Sequence, residues 1–398
     1  MGFPYIAQIQ VKDCYASQNF NVPHQPSSTF KHIILTGKNG SGKTTILNSI
    51  AESIKAYRDG KSPEHLVRQF QVIAQSQAFN SPPRKEYDQK IKVLESLQLQ
   101  FLGEPTILAK KQTNDYIFSF FPASRKVNLK DVTTVTKEDE FYNKLNSKSD
   151  ADFISAFKQY LVNKKVYEAF DFMNQNQSKI SESQRFFDEL VKTLRQIFKD
   201  EKLTLEFVQE KFEFYIVFSD SRKVTFNQLS EGFSAFLSII AELIMRVDLL
   251  RKQSENWSWN PEGIILIDEP ETHFHLSMQY EILPLIVALF PKLQMIIATH
   301  SPSIISSLKN AVVYDLSSQQ EVSDWLLGSS YSELMISHFG LENEFSPVAD
   351  KILSEVNKFI INKNTEGLRQ LLVDNEKYLT PSLKLEIESQ IIKLRAAQ

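Results

Sequence analysis

One run of eight residues limits what this chain can fold into: Gly37-Lys38-Asn39-Gly40-Ser41-Gly42-Lys43-Thr44. It fits the spacing G-x-x-x-x-G-K-[ST], in which glycines let the backbone curl until successive N–H groups face phosphate oxygens. Its context fits as well. His32-Ile33-Ile34-Leu35-Thr36 reads as a short apolar strand, and Ile46, Leu47, Ile50 and Ile54 share one face of a helix from about Lys43 to Tyr57. The helix start adds partial positive charge where a triphosphate would sit. Residues Gly37, Lys38, Asn39, Gly40, Ser41, Gly42, Lys43, Thr44 and Thr45 are therefore the expected ATP contacts. Lys43 is assigned to the β- and γ-phosphates and the Thr44 hydroxyl to Mg²⁺.

A second segment, Gly263 to His275 (GIILIDEPETHFH), runs four apolar residues into two adjacent carboxylates. That is the pattern of a buried parallel strand whose C-terminal end faces a ligand crevice. Asp268 is expected in the Mg²⁺ shell, and Glu269 is expected to orient and polarise an attacking water. Leu229-Ser230-Glu231-Gly232 opens a long apolar helix, with Ser230 placed to cap it and to present N–H groups to an anion. Met295 to Ala298 forms another apolar strand, ending in Thr299-His300. His273 and His275 make an H-x-H pair, but no third ligand stands nearby in sequence, so they are not read as a metal site.

Along the rest of the chain, Tyr5 to Lys12 alternates like a strand. Residues 60 to 135 read as polar stretches alternating with short β-like runs, such as Ile91 to Gly103 and Asp115 to Val127. From about 137 to 200 the pattern becomes helical, with Phe153, Phe157 and Leu161 on one face and Phe187, Leu190, Leu194 and Ile197 on another. Lys144, Lys148, Lys158, Lys164 and Lys165 in that stretch are interspersed with acids and read as a solvated face. LTLEFV, FEFYIVF and KVTF suggest a hairpin extended by a further strand. The last 85 or so residues read as mainly helical.

Bulk properties exclude several classes. The formal net charge of −3 gives no case for unspecific nucleic-acid binding over the whole surface, although a local basic groove stays open. The single cysteine, Cys14, excludes a disulfide framework within one chain and suits a reducing, cytoplasmic setting; it reads as a buried small residue. The N-terminus has no secretory pattern. Phe233 to Leu250, the longest apolar candidate, carries Glu242, Arg246 and Asp248 and reads as a buried helix; no membrane partner is expected.

Taken in order, the phosphate loop, LSEG, the DE strand and the Thr-His strand end resemble ABC ATPases of the SMC, RecF and overcoming-lysogenisation type. The phrases DEPETHFH and ATHSPSII are closest to the ATP-binding subunits of bacterial anti-phage systems of the PARIS and Septu kinds, and SSYSELMISHFGLENEFS resembles their helical ending. The resemblance implies an α/β fold: an ABC ATPase head, with a mixed β lobe and a parallel-sheet core, plus a compact helical insert and a helical C-terminal region. The implied boundaries are 1–136 for the N-terminal lobe, 137–200 for the insert, 201–315 for the C-terminal lobe and 316–398 for the helical end. It also implies ATP hydrolysis at composite sites in a head-to-tail homodimer or larger homo-oligomer. Ser230, Glu231 and Gly232 would contact the γ-phosphate held by the other copy, with Glu269 and His300 as the catalytic pair.

Two departures stand out. No clear glutamine follows the lobe strand where the family places one; Ser124 or Arg125 occupies that loop, Arg125 as a nucleotide or partner contact or as a solvated residue. Adenine contacts are unassigned beyond Tyr15. Within the resemblance, the leading expectation is a sensor or scaffold subunit controlling a separate nuclease or toxin effector. The alternative is a RecF- or SMC-like ATPase of DNA repair or chromosome maintenance.

Overall fold

The computed structural model describes residues 4–14, 17–78, 81–105, 108, 116–125, 129–137, 139–141, 153–256, 260–323, 333–334 and 347–396. It divides into two compact units, Met1–Gly328 and Ser329–Gln398. In chain order, the first unit begins with β1 (Tyr5–Cys14), β2 (Ser17–Val22), β3 (His32–Thr36), α1 (Lys43–Arg58), α2 (Pro63–Ser76), α3 (Pro82–Glu95), β4 (Leu97–Leu102) and β5 (Tyr116–Phe121). Next come α4 (Phe153–Met173), α5 (Gln177–Phe198), β6 (Thr204–Val208), β7 (Glu213–Val217), β8 (Lys223–Thr225) and α6 (Glu231–Ser254). It ends with β9 (Glu262–Asp268), α7 (Leu276–Gln279), α8 (Ile282–Leu289), β10 (Leu293–Ala298), α9 (Pro302–Ile305), β11 (Ala311–Asp315) and β12 (Gln320–Glu321).

The described strands form three sheets. The largest has the order β12-β11-β3-β10-β9-β5, parallel throughout except for β12. Ile33 to Leu35, Ile264 to Ile267 and Met295 to Ala298 are all buried, which is why these strands are continuous apolar runs and not alternating ones. Ala298 pairs with Asp268 on one side and Leu35 on the other. The ends of β3, β9 and β10 are thereby level, and everything that follows them gathers along one edge of the sheet.

The antiparallel sheet β2-β1-β4 closes the lobe over α1. Ile46, Leu47, Ile50 and Ile54 are completely buried there, in one core with Ile9, Val11, Val22, Leu97 and Leu99. Gln294 joins this sheet to the core: its amide accepts from Ile6 N and donates to the Ile6 and Lys31 carbonyls, each at 2.8 Å. Cys14 is buried, with Sγ 4.0 Å from Ser49 Oγ, and burial raises its thiol pKa. Gly263 is required by close approach, since a Cβ there would lie 2.1 Å from the Ile117 carbonyl oxygen of β5.

Two sequence expectations change. Residues 63–95, read as β-like runs between polar stretches, are mostly the helices α2 and α3. Ser62 and Ser81 each cap a helix with proline in its first turn, and this local signal outweighs the alternation. The lysines are not all on a solvated face. Lys158 is buried between Asp131 at 3.2 Å and Glu213 at 2.5 Å. Lys164 is buried against Asp248 at 2.7 Å and lies over the Phe186 ring, while Lys165 covers Phe187. Their aliphatic stems and paired heads serve the packing of α4, α5 and α6. Lys144 and Lys148 lie outside the described residues.

Asp248 also accepts a hydrogen bond from the Tyr160 hydroxyl. Among the described residues no helix is long and apolar enough to cross a membrane. The strands β6, β7 and β8 form an antiparallel meander that leads into the start of α6.

The second unit contains α10 (Pro347–Ile361), α11 (Thr365–Asp374) and α12 (Pro381–Ala396). They pack around Ile352, Val356, Leu368, Leu371, Leu383, Ile387 and Ile391. Of the segment 329–346, whose sequence resembles a helical family ending, only 333–334 are described.

Candidate nucleotide site

The loop between β3 and α1 depends on its glycines. Gly37, Gly40 and Gly42 have φ of 132°, 82° and 95°, a region that side-chain-bearing residues rarely adopt. Lys43 Nζ folds back over the loop and donates to the Gly37 and Lys38 carbonyls at 2.8 and 3.2 Å. Burial lowers its pKa, against the opposing pull of Glu269, Asp268, Glu271 and Asp315. Lys38, Asn39 and Gly40 are exposed, as are Thr44 and Thr45, so the outer rim of the loop is open to a ligand.

At the end of β9, Asp268 is 3 % exposed. Its Oδ2 accepts from Thr44 Oγ1 at 2.9 Å, while Oδ1 is buried with no hydrogen-bond partner among the described residues. Burial raises the Asp268 carboxyl pKa, and the Thr44 hydrogen bond partly counters it. Among the described residues, the three carboxylates Asp268, Glu269 and Glu271 have Lys43 and Arg125 as cationic neighbours. An orphaned buried oxygen beside a hydroxyl, in a pocket with surplus negative charge, fits a hard divalent cation such as Mg²⁺.

Glu269 adopts φ 46°, a left-handed conformation uncommon for its type, so the chain turns abruptly after Asp268. Arg125 holds that turn. Its Nη1 donates to the Asp268 carbonyl and its Nη2 to the Glu269 carbonyl, both at 2.9 Å. Of the readings left open for Arg125, the solvated one is corrected: it is half-buried and clamps the acidic strand end, and burial lowers its pKa. Ser124 is exposed, and Tyr15 lies outside the described residues.

His300 follows β10 and comes to Glu269: its Nδ1 is 3.5 Å from Glu269 Oε1 and 3.3 Å from Glu271 Oε1. The structure therefore brings together Lys43, Thr44, Asp268, Glu269 and His300, which the sequence scatters over more than 250 positions.

Ser230, Glu231 and Gly232 are not among them. Ser230 occupies the N-cap position of α6, but its hydroxyl makes no capping bond, contrary to the sequence expectation, and the residue is exposed. Its carbonyl starts the helix by accepting from Ser234 N at 2.9 Å. Glu231 Oε2 lies 3.3 Å from His273 Nδ1, which gives that histidine a carboxylate neighbour. Gly232 is buried against the acidic loop, where a Cβ would fall 2.5 Å from the His273 carbonyl oxygen.

Sequence reasoning missed the support behind the phosphate loop. Ser317 Oγ accepts from the Lys38 amide at 2.8 Å, and the Ser317 amide donates to Asp315 Oδ1 at 2.8 Å, so the end of β11 props the phosphate loop. The polar Asp315-Leu-Ser-Ser after an apolar run was the available signal. Glu271 is 6 % exposed and bonded to the end of β10 through Thr299 Oγ1 and His300 N.

Residues 33–306, more than half of the chain, match the family described as "AAA domain, putative AbiEii toxin, Type IV TA system". The chain is 28% identical over 182 residues to the Retron Ec83 probable ATPase of Escherichia coli, covering 41% of this chain and 32% of that protein. It is 27% identical over 195 residues to the Septu protein PtuA of Bacillus thuringiensis, covering 46% of this chain and 48% of that protein. It is 22% identical over 366 residues to the Retron Vc95 probable ATPase of Vibrio cholerae, covering 74% and 70%. The chain thus spans a third to a half of the first two relatives' length. A solved SMC head bound to the C-winged helix domain of ScpA aligns with a TM-score of 0.37 at 13% identity, over 78% of this chain and 94% of that one. The chain belongs to the AAA-domain family so described, a P-loop ATPase family, and ATP is its implied ligand.

Proposed function

We propose that this chain hydrolyses ATP at sites completed when two copies pair head to tail. Closure of that pair on nucleotide would be the switch by which it controls a separate effector in anti-phage defence. The observation that carries the reading is Ser230: an exposed, uncapped start to a 24-residue helix, with no bond to its own phosphate loop. Free N–H groups and a free hydroxyl at a helix start are the complement of a phosphate. The loop of Lys43 is the other half of such a site.

Within it, Lys43 would trade its bonds to the Gly37 and Lys38 carbonyls for phosphate oxygens. Glu269 would orient the attacking water and accept its proton, and His300 would hydrogen-bond the γ-phosphate. Thr44 and Asp268 would hold Mg²⁺, which when bound neutralises charge developing on the phosphate oxygens. Closure responds to ATP because only the triphosphate makes contacts to both copies. The defence role rests on the resemblance to retron ATPases and to PtuA, and the effector's identity as nuclease or toxin on the same footing.

Light scattering and phosphate release on the purified chain test this. Glu269→Gln should bind ATP, accumulate as dimer or larger assembly, and lose about a hundredfold or more in turnover. Ser230→Arg should keep ATP binding but neither assemble nor turn over. Parent-rate hydrolysis by Ser230→Arg would refute the composite site, and by Glu269→Gln the assignment of the water-activating residue.

A further inference from the structure

Glu271 lies two residues beyond Glu269 and belongs to none of the assigned roles. A carboxylate that is 6 % exposed persists only where hydrogen bonds compensate its lost hydration. Here one oxygen does the work: Oε1 accepts from Thr299 Oγ1 at 2.8 Å and from the His300 backbone N at 2.9 Å, and lies 3.3 Å from His300 Nδ1. Thr299 Oγ1 in turn accepts from Ser301 N at 3.0 Å. A single atom thereby fixes the backbone turn after β10 and the imidazole above it. The second oxygen, Oε2, is buried with no hydrogen-bond partner among the described residues, an arrangement that packing alone does not call for.

From this geometry we propose that Glu271 is the positioning residue that aims His300. With Nδ1 engaged by Glu271 and Glu269, Nε2 is the ring nitrogen left for a phosphate oxygen. Removing the carboxylate releases the strand end, and the histidine is then no longer held against the acidic loop. The inference rests on the ATPase reading above, and its signature is a loss in turnover without a loss in ATP affinity.

The test is steady-state turnover of the full chain, with KM and thermal midpoint, for Glu269→Gln, Glu271→Ala, Glu271→Gln and Thr299→Val. Glu271→Ala should lower kcat about tenfold or more with KM within about threefold. Glu271→Gln retains an oxygen that accepts the same two bonds and should recover kcat to within about fivefold of the parent. Thr299→Val, which removes the hydroxyl's bond to Glu271 and the one it accepts from Ser301 N but keeps the bond from His300 N to Glu271, should fall between.

Parent kcat in folded Glu271→Ala overturns the proposal, as does Glu271→Gln no faster than Glu271→Ala with an unchanged midpoint. If Glu271→Ala does not fold, Thr299→Val decides: a fall in kcat alone supports the proposal, and parent kcat refutes it. A parent chain without turnover instead defeats the ATPase reading, and Glu269→Gln turning over at the parent rate defeats the role given to Glu269; each leaves a distinct pattern.

Discussion

Thr44 Oγ1 donates to Asp268 Oδ2 across 2.9 Å, joining the first turn of α1 to the end of β9 over 224 positions of sequence. Asparagine at 268 retains an acceptor for that hydroxyl but removes the charge a divalent cation needs. Asp268→Asn should lower Mg²⁺-dependent phosphate release by about a hundredfold or more. Because burial raises the pKa of this carboxyl, neutralising it relieves a cost, and the thermal midpoint in EDTA should not fall.

Among the described residues, Lys43 Nζ hydrogen-bonds the Gly37 and Lys38 carbonyls of its own loop. Lys43→Ala should therefore fold normally yet weaken ATP binding by about a hundredfold, the scale of a lost pair of charge-assisted bonds. Isothermal titration with ATP measures this directly; affinity within threefold of the parent would remove Lys43 from the phosphate site.

His32 is buried, with Nδ1 accepting from the Met295 amide at 3.1 Å, and burial lowers its pKa from 6.5 to about 4. The unfolded chain takes up this proton below pH 6.5, and the folded chain does not until about 4. His32 therefore supports folding fully above pH 6.5, and its contribution is lost as pH falls from there toward 4. The loss is bounded at about 3 kcal/mol. Urea denaturation at pH 7 and pH 5 should show it, and His32→Asn should flatten the difference by close to one proton.

Lys158 sits between Asp131 and Glu213 in the interior of the helical pair. Lys158→Ala leaves Glu213 without its partner and should cost about 3 kcal/mol, whereas Lys158→Met, which keeps the packed stem, should cost less. Chemical denaturation distinguishes the two, and equal losses would assign the effect to charge alone.

The site was legible wherever chemistry needs a fixed local pattern. Gly37 to Thr44 must curl, and Asp268-Glu269 must end a buried strand, so both stand out in one dimension. The partners of Arg125 and Glu271 were not legible, because each acts through backbone groups of other elements: Arg125 on the 268 and 269 carbonyls, Glu271 on the amide of His300. Any sequence could supply those partners. The fold shows a similar divide. Parallel strands were readable from unbroken apolar runs, while α2 and α3 were hidden because capping by Ser62 and Ser81 is a brief signal beside a long polar one. Lys158 and Lys164 misled for the opposite reason: charge suggests water until β7 places Glu213 against the one and α6 places Asp248 against the other.

The contact between Gly232 and the His273 carbonyl has a mechanical consequence. With no room for even one methyl carbon, the beginning of α6 and the bend after Asp268 mesh like two gear teeth, neither free to slip past the other. A tilt of that helix would therefore press first on the His273 carbonyl, four residues after Glu269.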